Sequence, residues 1–171
     1  MSDSADTPDP GMATQRRSND TARVLVLVGH DENRRLLVEW LSGRYEVHSP
    51  ERPDAVEKPD APDREFDLCV VDGSTLGRYG ERLGEWRAVA HPVAFPVLLV
   101  VPEDDESRWH QSPSARRVVD EVITTPVRKA ELAVRIRGLL DRRALSVEGA
   151  ESEVRLRTLF QTVPDPIVAF D

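Results

Sequence analysis

The run "FDLCVVDGST" (66–75) sets an aspartate at the end of a short apolar stretch, followed at once by Gly73, Ser74 and Thr75. Apolar runs of this length, bounded by turn residues, read as buried strands. A carboxylate at such a strand end has two uses. Asp72 can cap the turn or the next helix by accepting backbone N–H groups. Or it can act as a nucleophile toward a phosphoryl group, a reaction that depends on positioning and charge neutralisation by other groups. Competing chemistries lack their motifs. Ser74 stands in "DGSTL", without the GxSxG elbow of a hydrolase nucleophile. Neither GxGxxG nor GxxxxGK[ST] occurs, so nucleotide binding by those loops has no support. One cysteine, Cys69, and four scattered histidines form no structural zinc pattern.

The elements that must position Asp72 come from the apolar pattern. "RVLVLV" (23–28) reads as a first strand. The next segment, "DENRRLLVEWLSGR", places Leu36, Leu37, Trp40 and Leu41 on one helical face, with Asp31 or Asn33 as cap and Gly43 as stop. "YEVHS" (45–49), "FDLCVVD", "FPVLLVV" (95–101) and "EVITTP" supply four further strands. Between them, "YGERLGEWRAVAH" groups Leu83, Trp86 and Ala90, and "PEDDESRWHQSPSARRVVD" reads as an acidic turn and a marginal helix. The stretch after the second strand is broken by Pro53, Pro59 and Pro62, which limits any helix there to a turn or two. "VRKAELAVRIRGLLDRRA" is the clearest helix, with Leu132, Ile136, Leu139 and Leu140 on one face and arginines opposite. Strands alternating with helices imply an α/β fold: a doubly wound, five-stranded parallel sheet with helices on both faces. Near-continuous apolar strands suit a sheet buried on both sides. In such sheets, sites form at the carboxyl ends of the strands, where the strand order reverses. Asp72 lies on that edge.

Composition narrows the setting. The chain has 171 residues and a formal charge of -8, which argues against a nucleic-acid surface. No apolar run is long enough to span a membrane, and the polar opening segment is not a secretory signal. Residues 1–22 read as a disordered acidic tail. A lone cysteine fits a reducing cytoplasm. Of 23 basic residues, 21 are Arg and only Lys58 and Lys129 are Lys. That bias resembles proteins of halophilic microbes with a salty interior; a GC-rich genome produces it too.

Residues 23 to about 144 resemble a response-regulator receiver domain, the aspartate-phosphorylated module of two-component signalling, with the flavodoxin-like fold. The carriers are "FDLCVVD", the closing "DEVITTPVRKAELAVRIRGLL", and the order and spacing of the five strands. The resemblance implies Asp72 as phosphoacceptor. It also implies an acid pair after the first strand for Mg²⁺, a Thr or Ser after the fourth strand, and a Lys before a proline after the fifth. Gly29 and His30 (or, shifted by one, Val28 and Gly29) stand where the acid pair is expected, Val101 where the hydroxyl is, and Thr125 where the lysine is, before Pro126. Two rescues are open: Asp31 and Glu32 swinging back as weak metal candidates, or Arg128 or Lys129 reaching over the turn. Each also has a plainer use, as helix cap, first-turn acid or solvated cation.

The final segment "SEVRLRTLFQTVPDPIVAFD" resembles the opening of a PAS sensor domain. Its helix face would be Leu156, Leu159, Phe160 and Val163, and "IVAF" its first strand; an ordinary amphipathic tail is the alternative. The expected organisation is a tail (1–22), a receiver-like domain (23–145), and a helical linker with a truncated PAS start (146–171). The expected function is a degenerate receiver without enzymatic output, acting through contacts with a sensor histidine kinase or a PAS or output regulator. A weak homodimer through 146–171 is expected as well. No cofactor is expected unless Asp72 is a working phosphoacceptor for a histidine kinase, which would bring in Mg²⁺. Nucleic acid and membrane are not expected partners.

Overall fold

The computed structural model describes residues 21–50 and 66–162. The acidic segment 1–20, the proline-broken stretch 51–65 and the expected strand at 167–170 lie outside the described residues. Five strands form one sheet: β1 (Arg23–Leu27), β2 (Glu46–His48), β3 (Leu68–Asp72), β4 (Val97–Pro102) and β5 (Glu121–Thr125). Their order is β2-β1-β3-β4-β5, and every pairing is parallel. The expected doubly wound parallel sheet is therefore present. The chain passes from β1 outward to β2, then crosses to the other side of β1 to lay down β3. The order reverses between β1 and β3, and a crevice opens there at the carboxyl ends.

Side chains of a strand alternate between faces, and here both faces are buried. Leu25, Leu27, Cys69, Val71, Val97, Leu99 and Val101 pack on one side with α2 (Gly73–Ala90) and the short α4 (Pro113–Val118). Val24, Val26, Val28, Leu68, Val70, Leu98, Val100 and Ile123 pack on the other with α1 (Asp31–Ser42) and α5 (Lys129–Thr162). This is why the inner strands β1, β3 and β4 carry almost no polar residue, whereas the edge strands β2 and β5 keep Glu46, His48, Glu121, Thr124 and Thr125. Burial pushes the Cys69 thiol far above its ordinary range, so it behaves as a small apolar side chain.

Several boundaries differ from the sequence reading. The cap of α1 is His30, whose Nδ1 accepts from Asn33 N at 3.5 Å; Asp31 is the first helical residue. Leu41 is buried and Leu37, Val38 and Trp40 pack against the core, whereas Leu36 is exposed. The buried stripe of α1 thus leans toward Val38 rather than Leu36. Gly73, Ser74 and Thr75 form no separate turn: α2 starts at Gly73, with Asp72 as its cap. Between β4 and β5 a 3₁₀ turn (Glu103–Asp105) leads into α3 (Glu106–Gln111), which Pro113 separates from α4. Proline lacks the N–H needed inside a helix but suits its first position, and Ser112 caps α4.

Helix α5 is a single element of 34 residues that runs on past position 145 without a break. Leu132, Ile136 and Leu139 are fully packed, but the expected row of opposite-facing arginines has an exception. Arg143 continues the buried row and is only 5% exposed. Its Nε donates to Asp67 Oδ1 at 2.8 Å and its Nη1 to Ala94 O at 2.7 Å. Beyond this clamp Leu145, Val154, Leu156 and Leu159 are exposed. Among the described residues no helix is long and apolar enough to cross a membrane. The two halves of α5 should respond differently to truncation. Ile136→Ala should cost about 2–5 kcal/mol in urea unfolding, whereas Leu156→Ala, measured on dilute protein, should stay within about 0.5 kcal/mol.

Candidate functional site

Asp72 ends β3 in the crevice beside β1, and its carboxylate is fully engaged by its own chain. Oδ1 accepts from Thr75 N and Ser74 Oγ, each at 2.8 Å. Oδ2 accepts from Gly29 N at 2.7 Å and from His30 N at 3.3 Å. The first pair caps α2; the second ties down the loop that leads into α1. A carboxylate has about four acceptor directions, so little capacity remains for a further ligand. Burial pushes the carboxyl up. The Thr75 N–H, the Ser74 and Thr75 hydroxyls and the Gly29 N–H together outweigh it and hold the group below the usual carboxylate value.

Two glycines shape this arrangement. A Cβ on Gly29 would come within 2.8 Å of Ser74 Oγ and 3.5 Å of Asp72 Oδ2, so a larger residue there would turn the Ser74 hydroxyl away from Asp72. A Cβ on Gly73 would meet the Trp109 indole at 2.7 Å. Trp109 therefore lies directly against the first turn of α2. Asp72, His30, Arg108, Trp109, Val101 and Thr125 line a common cavity of about 660 Å³ at the carboxyl edge of the sheet.

The strand order and the crevice are those of flavodoxin-like sheets, and an aspartate ending β3 in that crevice is the receiver arrangement. The fold is the receiver fold. No protein-family model matches the sequence, and no curated protein matches it. Solved receiver-fold structures do. NtrX from Brucella abortus, in complex with ADP, aligns with a TM-score of 0.63 at 23% identity, over 81% of this chain and 30% of that one. A response regulator receiver modulated diguanylate cyclase from Pelobacter carbinolicus aligns at 0.57 and 16% identity, over 74% and 98%. A signal receiver domain of a two-component histidine kinase from Clostridium thermocellum aligns at 0.55 and 17% identity, over 70% and 97%. The chain spans about 30% of the length of NtrX. At such identities the likeness concerns the fold.

Within the receiver fold the sequence candidates separate into two groups. Asp72, Val101, Thr125 and His30 do meet around one cavity. Val101 is buried and apolar, and Thr125 ends β5 next to Pro102 of β4. Asp31 does not join them: its Oδ1 pairs with Arg34 Nη2 at 2.6 Å. Glu32 is exposed in the first turn of α1, and Lys129 lines a different cavity, between α1 and the start of α5. Among the described residues no cluster of three potential metal ligands exists. Mg²⁺ favours an octahedron of oxygens with one or two carboxylates. A lone Asp72 whose oxygens already accept from Gly29, His30, Ser74 and Thr75 does not fit that requirement.

Arg108 and Trp109 were not singled out in the sequence, where they fall in a weak helix. The available signal was the pairing of Gly73 with a distant aromatic side chain, and no linear spacing reveals it. A pH test follows from Asp72. Its folded value lies below the unfolded one, so its stabilisation is fully present above about pH 4 and fades as the pH falls through the folded value. Asp72→Ala should cost about 1–2 kcal/mol at pH 7. The gap to the native protein should narrow below about pH 4 in acid-dependent denaturation curves.

Proposed function

We propose that this chain is a signalling interaction module of two-component type: a receiver fold in which Asp72 serves as a latch rather than as a phosphoacceptor. The observation that carries this reading is the closure of the β1–α1 loop onto Asp72. Where the receiver resemblance expects an acid pair, Gly29 and His30 instead present backbone N–H groups to the carboxylate. A carboxylate at position 29 would have to displace Ser74. The hydroxyl and lysine positions, Val101 and Thr125, offer no substitute for the groups that would follow and neutralise a phosphoryl group.

On this reading the module has no enzymatic output and works inside the cell through protein contacts. Its partners are a sensor histidine kinase or a PAS or output regulator. The continuous α5 supports a connector role, since residues 146–162 extend about 25 Å as a helix. A PAS start beyond it follows from the sequence resemblance. A halophilic source would account for the arginine-for-lysine bias.

A second reading has one observation in its favour. Arg108 lines the same cavity as Asp72 and is a cation on the functional edge. It could take the charge-neutralising role of the absent lysine in an Asp72 phosphoacceptor served by a histidine kinase. Incubation with a small phosphodonor and Mg²⁺, followed by intact-mass measurement, separates the two. The latch reading expects no phosphoryl adduct. A stoichiometric adduct that disappears in Asp72→Asn establishes the phosphoacceptor instead.

A further inference from the structure

The second half of α5 leaves a stripe of leucines uncovered among the described residues. At about 100° per residue, Leu145, Gly149, Ser152, Leu156 and Leu159 fall within a narrow band. Their spacing is 4, 3, 4 and 3, the a/d seam of a coiled coil. Leu145 is 68% exposed, Leu156 56% and Leu159 61%. The band is directed away from the domain. Ile136, buried against the sheet, lies nine residues before Leu145, which is about two and a half turns and so the opposite side of the helix. A second helix can therefore approach the band without meeting the sheet that α5 covers.

We propose that a second copy of this chain occupies the band, with the two α5 helices antiparallel. Charge decides both the occupant and the direction. In the antiparallel register Leu145 faces Leu156 of the other copy, and Gly149 faces Ser152, so small residues at the centre let the backbones close between two leucine layers. Glu148 then lies beside Arg155 of the other copy, and the symmetry produces this attractive pair twice. Leu159 packs on the stem of Arg142, whose side chain is 57% exposed. In a parallel pair with the same seam, Glu148 would instead lie beside Glu153 of the other copy. Glu153 already pairs within its own helix with Arg157 at 2.9 Å. The parallel arrangement thus opposes like charges where the antiparallel one pairs opposite ones. This association stands on α5 alone and does not depend on whether Asp72 takes a phosphoryl group.

Sedimentation equilibrium of the full chain at low ionic strength tests the proposal. The native protein should show a concentration-dependent dimer, and Leu156→Asp should abolish it. Because Leu156 is exposed, that variant should keep its fold, as circular dichroism can verify. Glu148→Arg alone and Arg155→Glu alone should each weaken the dimer roughly three- to tenfold, and the double variant should recover most of the loss. A dimer that tightens in Glu148→Arg would mean parallel pairing and overturn the antiparallel arrangement. A monomer at all concentrations, or a dimer indifferent to Leu156→Asp, would overturn the proposal as a whole.

Discussion

The carboxylate of Asp72 fastens the loop after β1 to the first turn of α2, and the carboxyl edge of the sheet takes its shape from that contact. The interaction joins two segments 43 residues apart at the point where the strand order reverses. Four donors converge on one anion. Two are backbone N–H groups of a loop that would otherwise need water, and a third is an orphan N–H of a helix start. Charged acceptors make stronger hydrogen bonds than neutral ones. The contact therefore both orders the crevice and keeps the carboxylate ionised. The same contacts underlie the proposed latch: with lone pairs committed to Gly29 and Thr75, holding a cation or attacking phosphorus would require opening the loop.

The opposite edge of the sheet is held by a different device, arginines that reach into carbonyl groups. Arg143 joins α5 to Asp67 at the foot of β3 and to Ala94 ahead of β4. Asp67 in turn accepts from Arg23 N at the start of β1. Arg87 of α2 gathers Phe95 O, Val118 O and Asp120. Asp120 also accepts from Val97 N at 2.8 Å. Each guanidinium thus ties together ends of elements that the apolar layers alone would only stack. A planar group with five donors suits this task, and lysine could not replace it. The scarcity of lysine in the chain has a structural counterpart here, whatever its origin in the genome.

Helix α5 belongs to the domain in its first half and leaves it in its second. The change comes at the Arg143–Ser146 clamp, where Ser146 Oγ donates to Arg143 O and accepts from Ala94 N. Up to that point the apolar residues recur on the face toward the sheet. After it Leu145, Leu156 and Leu159 stand on the side facing away, while Val147 and Val154 stay in line with Ile136, so the leucines alone form a stripe of a different direction. An isolated helix of the length of the second half is marginal in water, and rigid attachment to the docked half offsets the cost of nucleating it.

Much of the frame was legible in the order of residues. Continuous apolar runs such as "VLLVV" mark strands covered on both faces, and Leu132, Ile136 and Leu139 recur at helical spacing because one side of α5 must avoid water. Period and burial are linked by local geometry, so they survive in the linear sequence, and the position of Asp72 at a strand end followed from them. Its role did not. Whether a carboxylate at that place caps or reacts depends on which donors reach it, and Gly29 and His30 reach it only because β1 and β3 are neighbours in the sheet. The same holds for Trp109 against Gly73, and for Arg143, charged yet buried because Asp67 and Ala94 O wait at distant positions. Leu36 and Val38 show the limit on a finer scale: both fit an apolar face of α1, and the angle at which that helix meets the sheet chose between them. Local periodicity determined the elements of this protein. Contacts between segments far apart in the chain decided which donors its one conspicuous carboxylate meets, because hydrogen bonds are specified by where atoms meet and not by how residues are spaced.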